Sequence, residues 1–389
     1  MNDEFNVKRI IFNKFKIIKH ISSGSFGKVY LGKNILNDKF VAIKIEDKTT
    51  LMRKTLQKEA YFLYYLKGYG IPEIISYGCK GKYNILVETL LGKSLYDIQL
   101  KNKFTLKDIC LIGIQAIDRL NYIHSKYVIH CDIKPQNFMV GNSNPSIIYI
   151  CDFGISQKYR SSKTGKHVEF LKHERVYVSL KFSSINSILG FQKSRRDDLE
   201  SLGYTLIYLI NGLPWENLKY KNLEECINKI CNYKKNISVK ELCKGLPNEI
   251  ECYFNYVRNL KFEEKPNYSY LKNLFFKILS KIQKIYDNVF SWNKKIILFR
   301  NSPYLKSSKT LPCLGNITLR ETIEKSERKR NREIKSNNLP YVDEKNLKNS
   351  SRVIDYWINL IKKNKKFIPR YDNDLEVENN FFIGPKKIA

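Results

Sequence analysis

The chain has 389 residues, of which 43% are apolar and 13% aromatic, and this composition favours a large folded protein over a disordered one. It contains no run of eighteen apolar residues, and its first thirty residues lack the order of a secretory signal, so we expect no membrane span and no leader. Nine cysteines occur without a CxxC pair. This favours a reducing, intracellular compartment, and we expect the cytoplasm, the nucleus or both.

The formal net charge of +31 has two interpretations. It can indicate affinity for acidic proteins, nucleic acid or an anionic surface, or it can reflect a chain that is rich in lysine throughout. Residues 294–389 hold 22 Lys+Arg against 11 Asp+Glu, which is +11 of the +31. Because the excess is spread along the chain and no nucleic-acid-binding module is visible, we favour the second interpretation and do not expect nucleic acid as a partner.

Residues 14–45 predict three β-strands. The first turn between them reads SSGSFGKV, a pattern close to G-x-G-x-x-G in which Gly24 and Gly27 are present but Ser22 takes the first position. Glycines in such a hairpin let backbone amides approach a phosphate group without a Cβ in the way. The last of the three strands contains the tetrapeptide VAIK, whose final residue is Lys44.

Helical periodicity predicts two helices after these strands. The first covers residues 51–66 and carries Glu59, and the second covers residues 106–125. Between them YNILVETLL at 83–91 predicts a strand. Apolar residues at helical spacing in both helices indicate that each packs on a core.

Two polar motifs follow the second helix, about twenty residues apart. They are HCDIKPQN at 130–137 and DFG at 152–154, and the order H-x-D-x-K-x-x-N … D-F-G is typical of the catalytic loop and metal-binding turn of eukaryotic protein kinases. A basic segment at 158–190 stands where an activation segment belongs. SRRDDLESLGY at 194–204 then begins a long helix, and we expect its Asp198 to cap the backbone of the catalytic loop from below.

The chain resembles the casein kinase 1 family over residues 12–292. The residues that carry the resemblance are SRRDDLESLGY, LPWENLK, KPNYSYL and the Ser-Ile-Asn at 184–186, where most kinases have Ala-Pro-Glu. The vaccinia-related kinases are the near alternative, and the intact SRRDDLESLGY favours casein kinase 1. The resemblance implies the α+β, bilobed eukaryotic protein-kinase fold, with a small β-rich N-lobe (about 12–90) and a larger helical C-lobe (about 91–292). We expect residues 293–389 to form a basic, partly helical extension.

The resemblance also implies a monomeric Ser/Thr kinase that uses ATP and Mg²⁺ and is active without activation-loop phosphorylation. Its expected substrates are proteins with acidic or already phosphorylated sites. Asp132 would accept the proton of the substrate hydroxyl, Lys134 would neutralise the phosphoryl group, and Asn137 and Asp152 would hold the metal. The residues expected to contact ATP, or to hold those that do, are Ser22, Gly24, Phe26, Gly27, Val29, Ala42, Lys44, its ion-pair partner Glu59, Glu88, Leu90 and Asn137.

Two registers are open where the strand at 83–91 leads into the adenine pocket. One places Glu88 at the back of the pocket, where an apolar residue is usual. The other places Val87 there and Glu88 in the hinge. We expect the second, because burying an unpaired carboxylate costs several kcal/mol.

Some residues depart from the family pattern. Cys131 stands where the family has an arginine, which binds a phosphate near the substrate together with a second arginine and a downstream lysine. Those two positions fall on Lys181 and Lys234, so we expect weakened, not abolished, selectivity for phosphate-primed substrates. Val178 replaces a family glycine, whereas Ser179 keeps a hydroxyl near the catalytic Asp and Lys.

The residues that perform phosphoryl transfer are all present, so an active kinase is the leading hypothesis. The alternative is a pseudokinase or scaffold that binds nucleotide or partners with little catalysis. It is motivated by Ser22, Cys131, Val178 and the basic extension.

The extension contains two notable patterns. KSERKRNREIK at 325–335 is interpreted as a solvated charged face, with a helix or a nuclear localisation signal as alternatives. An apolar stripe at 353–361 predicts a helix. We expect it to dock on the kinase body, and a partner-binding or membrane-surface helix is the alternative.

Overall fold

The computed structural model describes residues 9–24, 27–49, 55–161, 164–173 and 179–293, and the backbone of 386–387. All of these belong to one compact unit. The charged stretch at 325–335 and the helix predicted around 353–361 lie outside the described residues, as do Phe26 and Val178.

The N-terminal part is an antiparallel sheet with one helix beside it, and the strands predicted within 14–45 and 83–91 are confirmed. Its elements are β1 (Ile10–Ile11), β2 (Phe15–Gly24), β3 (Gly27–Asn34), β4 (Phe40–Asp47), α1 (Thr55–Tyr65), β5 (Ile74–Lys80) and β6 (Tyr83–Thr89). The six strands lie in the order β1-β2-β3-β4-β6-β5.

The two faces of this sheet have different chemistry. Ile43 and Val87 are fully buried in an apolar cluster on one face. In the antiparallel pairing of β4 with β6, Ala42 lies opposite Glu88 and Lys44 opposite Leu86. Because side chains alternate along a strand, these four residues share the other face, which is the one that α1 covers in part.

The rest of the described chain is mainly helical. Its helices are α2 (Leu95–Gln99), α3 (Leu106–Ser125), α4 (Ile185–Ile188), α5 (Arg195–Asn211), α6 (Leu223–Asn236), α7 (Val239–Leu242), α8 (Asn248–Asn259) and α9 (Tyr268–Lys281), with 3₁₀ turns at Pro135–Asn137 and Ser291–Asn293. The short strands are β7 (Leu91–Ser94), β8 (Val128–Ile129), β9 (Phe138–Gly141), β10 (Ile148–Ile150), β11 (Gln157–Lys158), β12 (Leu171–Lys172) and β13 (Lys386–Lys387).

The helix α3 has the bounds that the sequence predicts, and its start is set by local chemistry. Thr105 accepts a hydrogen bond from the backbone of Asp108, and the Asp108 carboxylate accepts one from the backbone of Thr105 in return. This reciprocal cap satisfies two amides that a helix end otherwise leaves without partners. The helix packs on α5 and α9 through an almost fully buried apolar surface.

The short strands pair in three small sheets. The order β10-β9-β7 makes a small sheet, β8 pairs with β11, and β12 pairs with β13 so that Leu171 lies opposite Lys387. The loop from 130 to 137 therefore connects β8 to β9, and each of these strands is held by hydrogen bonds to its own neighbours. None of the helices in the described part of the chain is long and apolar enough to cross a membrane.

Candidate active site

The glycine hairpin forms as predicted between β2 and β3. Gly24 pairs with Gly27, and Ser22 pairs with Val29. Gly27 has φ +135°, and a Cβ at this position would overlap the carbonyl oxygen of Ile45. Only glycine fits there. Ser22 is exposed.

Lys44 is the centre of a charged cluster below this hairpin. Its Nζ lies 2.7 Å from Oε1 of Glu59 on α1 and 2.9 Å from Oε1 of Glu88 on β6. Both carboxylates are buried, with side chains 5% and 6% exposed. The predicted Lys44–Glu59 ion pair is confirmed, and Lys44 has a second partner.

The cluster holds more negative than positive charge. Burial opposes the charge on Lys44, but Glu59, Glu88 and Asp152 outweigh it and hold the pKa of the ammonium well above its usual value. Burial opposes ionisation of Glu59, and together with the charges of Glu88 and Asp152 it raises the pKa of Glu59 although Lys44 attracts the carboxylate. Lys44 is therefore a fixed cation with two carboxylates competing for it.

The register predicted for Glu88 is wrong. Glu88 lies within β6 rather than in the hinge, it is only 4% exposed, and its carboxylate points at Lys44. The argument against this register assumed an unpaired carboxylate, and Lys44 removes that penalty. Leu90, half-buried, is the single residue between β6 and β7.

Helix α1 is positioned by Glu46, a residue that the sequence did not single out. One carboxylate oxygen of Glu46 accepts hydrogen bonds from the backbone amides of Thr55 (3.0 Å) and Leu56 (3.2 Å). The other accepts one from Asn84 at 3.1 Å. A carboxylate at a helix N-terminus is favourable because it satisfies free amides. This contact fixes the end of α1 nearest Glu59.

The carboxylate of Asp132 is held by three side chains. Lys134 donates to Oδ2 at 2.6 Å, Asn137 donates to the same oxygen at 3.1 Å, and Ser179 donates to Oδ1 at 2.7 Å. Burial opposes ionisation, but the charge and hydrogen bond of Lys134 and the bond from Ser179 outweigh it, so the pKa of Asp132 is lowered. The carboxylate is ionised and oriented at neutral pH.

Asp198 supports this loop from below, as predicted. Its carboxylate accepts the backbone amides of His130 at 2.7 Å and Cys131 at 2.9 Å, and His124 lies 2.9 Å from Oδ2. Cys131 has φ +72°. This conformation is unfavourable for a side chain with a Cβ and needs such external support.

Asn137 and Asp152 are suited to a hard cation. The Nδ2 atom of Asn137 donates hydrogen bonds to the backbone oxygen and the carboxylate of Asp132. The Oδ1 atom of Asn137 is therefore the one that could bind a metal. Asp152 has φ +68°, and the next residue, Phe153, is fully buried against His130. The described residues contain no cluster of three or more His, Cys, Asp or Glu arranged for a metal. One carboxylate and one amide oxygen match Mg²⁺, which is usually bound through few protein ligands together with phosphates and water.

The anion site predicted at Lys181 and Lys234 is not present as expected. Lys234 is fully buried, and its ammonium donates to the carbonyl oxygens of Leu180 (3.0 Å) and Ser183 (2.6 Å). The prediction of Lys234 as a substrate contact is wrong, because matching to a family position does not show whether a side chain is buried. Lys181 is one-third exposed and pairs with Glu216.

Burial raises the pKa of Cys131 to about 12, so the thiol is uncharged at neutral pH and offers no cation in this region. Lys193 instead donates to the Cys131 carbonyl at 3.1 Å. No motif pointed to Lys193.

The protein kinase domain family matches residues 15–284, well over half of the 389-residue chain. The chain belongs to the protein kinase family. The predicted bilobed α+β kinase fold is confirmed by this match together with the β-rich N-terminal and helical C-terminal parts.

Proposed function

We propose that the protein is an active, casein kinase 1-like Ser/Thr kinase that transfers the γ-phosphate of ATP to hydroxyls in acidic protein segments. The observation that carries this proposal is the geometry of Asp132, which is buried, ionised and held by Lys134 and Ser179. Such a carboxylate can orient an incoming hydroxyl and take up its proton.

The other residues have separate roles. Bound Mg-ATP would supply the phosphoryl group and the metal charge that offsets the phosphate oxygens. Lys44 would bind the phosphates, Asn137 and Asp152 would hold the metal, and Lys134 would contact the phosphoryl group. Gly27 allows the hairpin backbone to approach closely.

The proposed substrates are acidic segments, with little gain from a priming phosphate. Cys131 carries no charge, Lys234 is buried and Lys181 is already paired with Glu216. Any attraction of acidic sequences then comes from lysines spread along the chain, which act weakly and together, rather than from one phosphate pocket. A monomeric state and an intracellular location stay predictions.

The test is phosphotransfer from γ-labelled ATP with Mg²⁺, comparing wild type with Asp132→Asn. Asp118→Asn is the matched control, because Asp118 forms a surface ion pair with Lys272. The substrates are acidic peptides that differ only in having serine, threonine or tyrosine as acceptor, a neutral peptide, and a phospho-primed acidic peptide.

We expect label on serine and threonine only, and a loss of about 10²–10⁴-fold in Asp132→Asn with ATP binding retained. Asp118→Asn should match wild type, and the primed peptide should react about as fast as its unprimed counterpart. If wild type and Asp132→Asn bind ATP and are equally inactive, the proposal fails and the scaffold hypothesis replaces it.

A further inference from the structure

The two carboxylates that contact Lys44 come from different parts of the fold. Glu59 reaches Lys44 from helix α1, whereas Glu88 reaches it from β6, the strand adjacent to β4. Lys44 lies opposite Leu86, so Glu88 is its diagonal neighbour on the same face of the sheet. Long side chains at diagonal positions of an antiparallel pair are within reach of each other.

The sheet contact is fixed more firmly than the helix contact. Seven consecutive residue pairs join β4 to β6, from Val41 opposite Thr89 to Asp47 opposite Tyr83. The position of Glu59 instead depends on how α1 packs and on the Glu46 contact at its start. A shift of α1 would lengthen the Glu59 contact and leave the Glu88 contact unchanged.

The burial of the Glu88 carboxylate is also energetically unfavourable. Its Oε2 atom is inaccessible and accepts no hydrogen bond from the described part of the chain. A buried acceptor without a donor destabilises the fold, because its lost contacts with water are not replaced. Among the described residues, the one ionic contact of this carboxylate runs from its Oε1 atom to Lys44, so a carboxylate at this position serves to hold Lys44.

We propose that Glu88 is a second positioning residue for Lys44, which holds the ammonium on the sheet independently of helix α1. The proposal rests on the proposed function, since it concerns the lysine assigned to the ATP phosphates. Glu59 is then one of two sufficient anchors rather than the only one. Movement of α1 alone would not release Lys44 or shut down nucleotide binding.

A double-mutant cycle tests this redundancy. The variants are Glu59→Gln, Glu88→Gln and the double variant, with Glu88→Met to remove the hydrogen bond as well as the charge. Glu73→Gln is the control, because Glu73 is an exposed carboxylate near the same sheet. For each variant we would measure kcat, KM for ATP and the affinity for Mg-ATP.

We expect Glu59→Gln to lower kcat/KM for ATP by no more than about tenfold in the wild-type background, and by at least about 100-fold when Glu88 is also substituted. The combined loss should include a raised KM for ATP and weaker binding. If Glu59→Gln costs the same factor in both backgrounds, or abolishes activity alone, the proposal is overturned.

A second readout does not depend on catalysis. The rate at which acetic anhydride acetylates Lys44 in the folded protein is measured by mass spectrometry, relative to the exposed Lys39. Acetylation requires the unprotonated, accessible amine, so Lys44 should react slowly in wild type and in both single variants and fast in the double variant. Fast reaction in Glu59→Gln alone would contradict the proposal. If wild type lacks kinase activity, the proposed function fails, and this measurement still decides the role of Glu88.

Discussion

The hydroxyl of Ser179 donates a hydrogen bond of 2.7 Å to Oδ1 of Asp132, while Lys134 holds the other carboxylate oxygen. Ser179 lies in the segment before α4, and Asp132 lies in the loop between β8 and β9. The catalytic loop and the end of the activation segment are thus joined through one carboxylate.

Removal of this hydroxyl should weaken catalysis without weakening nucleotide binding. In Ser179→Ala, loss of a hydrogen bond to a charged group should lower kcat about tenfold, with KM for ATP unchanged. Because Ser179 helps to lower the pKa of Asp132, that pKa should rise and the acidic limb of the pH–rate profile should move to higher pH. Ser179→Thr should behave like wild type. An unchanged profile in Ser179→Ala would contradict this role.

Substitution of Asp198 should destabilise the fold. Asp198→Asn leaves one acceptor oxygen for donors from His130, Cys131 and His124, and places an amide donor against an N–H group. We expect a loss of about 3 kcal/mol in the free energy of unfolding, measured by urea denaturation. Asp287→Asn, which breaks the surface pair with Lys107, should cost far less. Equal losses in the two variants would exclude a special role for Asp198.

The buried Lys234 should make stability depend on pH. Burial lowers its pKa to about 7 in the folded protein, against about 10.4 in an unfolded chain. Between these values the unfolded state binds more protons, so this group adds stability as the pH rises from about 7 to about 10.4. Wild type should therefore gain stability relative to Lys234→Met between pH 7 and 9.5, measured as urea midpoints. Parallel curves would show that Lys234 does not titrate there.

Lys234→Met also tests whether the buried amine takes part in substrate recognition. Since its ammonium contacts only backbone carbonyls and aromatic rings among the described residues, the ratio of rates on primed and unprimed peptides should not change. A fall in that ratio would show that Lys234 contacts the priming phosphate, contrary to its buried position.

Cys131 should be unreactive although it adjoins Asp132, the proposed catalytic base. Burial raises its pKa to about 12, so little thiolate forms at pH 8. Iodoacetamide applied to the native protein should label the half-buried Cys79 and Cys252 and leave Cys131 unmodified, as read by mass spectrometry. The urea-unfolded protein, in which all nine cysteines should react, is the control. Alkylation of native Cys131 in parallel with loss of activity would show that the site opens.

The sequence by itself determined most of the described elements and the motifs from which the candidate site is built. Strand alternation, the glycine hairpin and the bounds of α3 are local patterns, and each is confirmed because backbone periodicity and end capping depend on neighbouring residues. The pairing of Lys44 with Glu59 and the cap that Asp198 places on the loop followed from motifs whose spacing corresponds to one fold.

Only the tertiary structure decided which charges are buried and what they contact. Glu88 is buried because the pairing of β4 with β6 puts it beside Lys44, and an argument that assumed no partner chose the wrong register. Lys234 is buried because α6 turns it toward the carbonyls of Leu180 and Ser183. The free energy of a charge depends on burial and on partners from distant segments, and neither is encoded in local spacing.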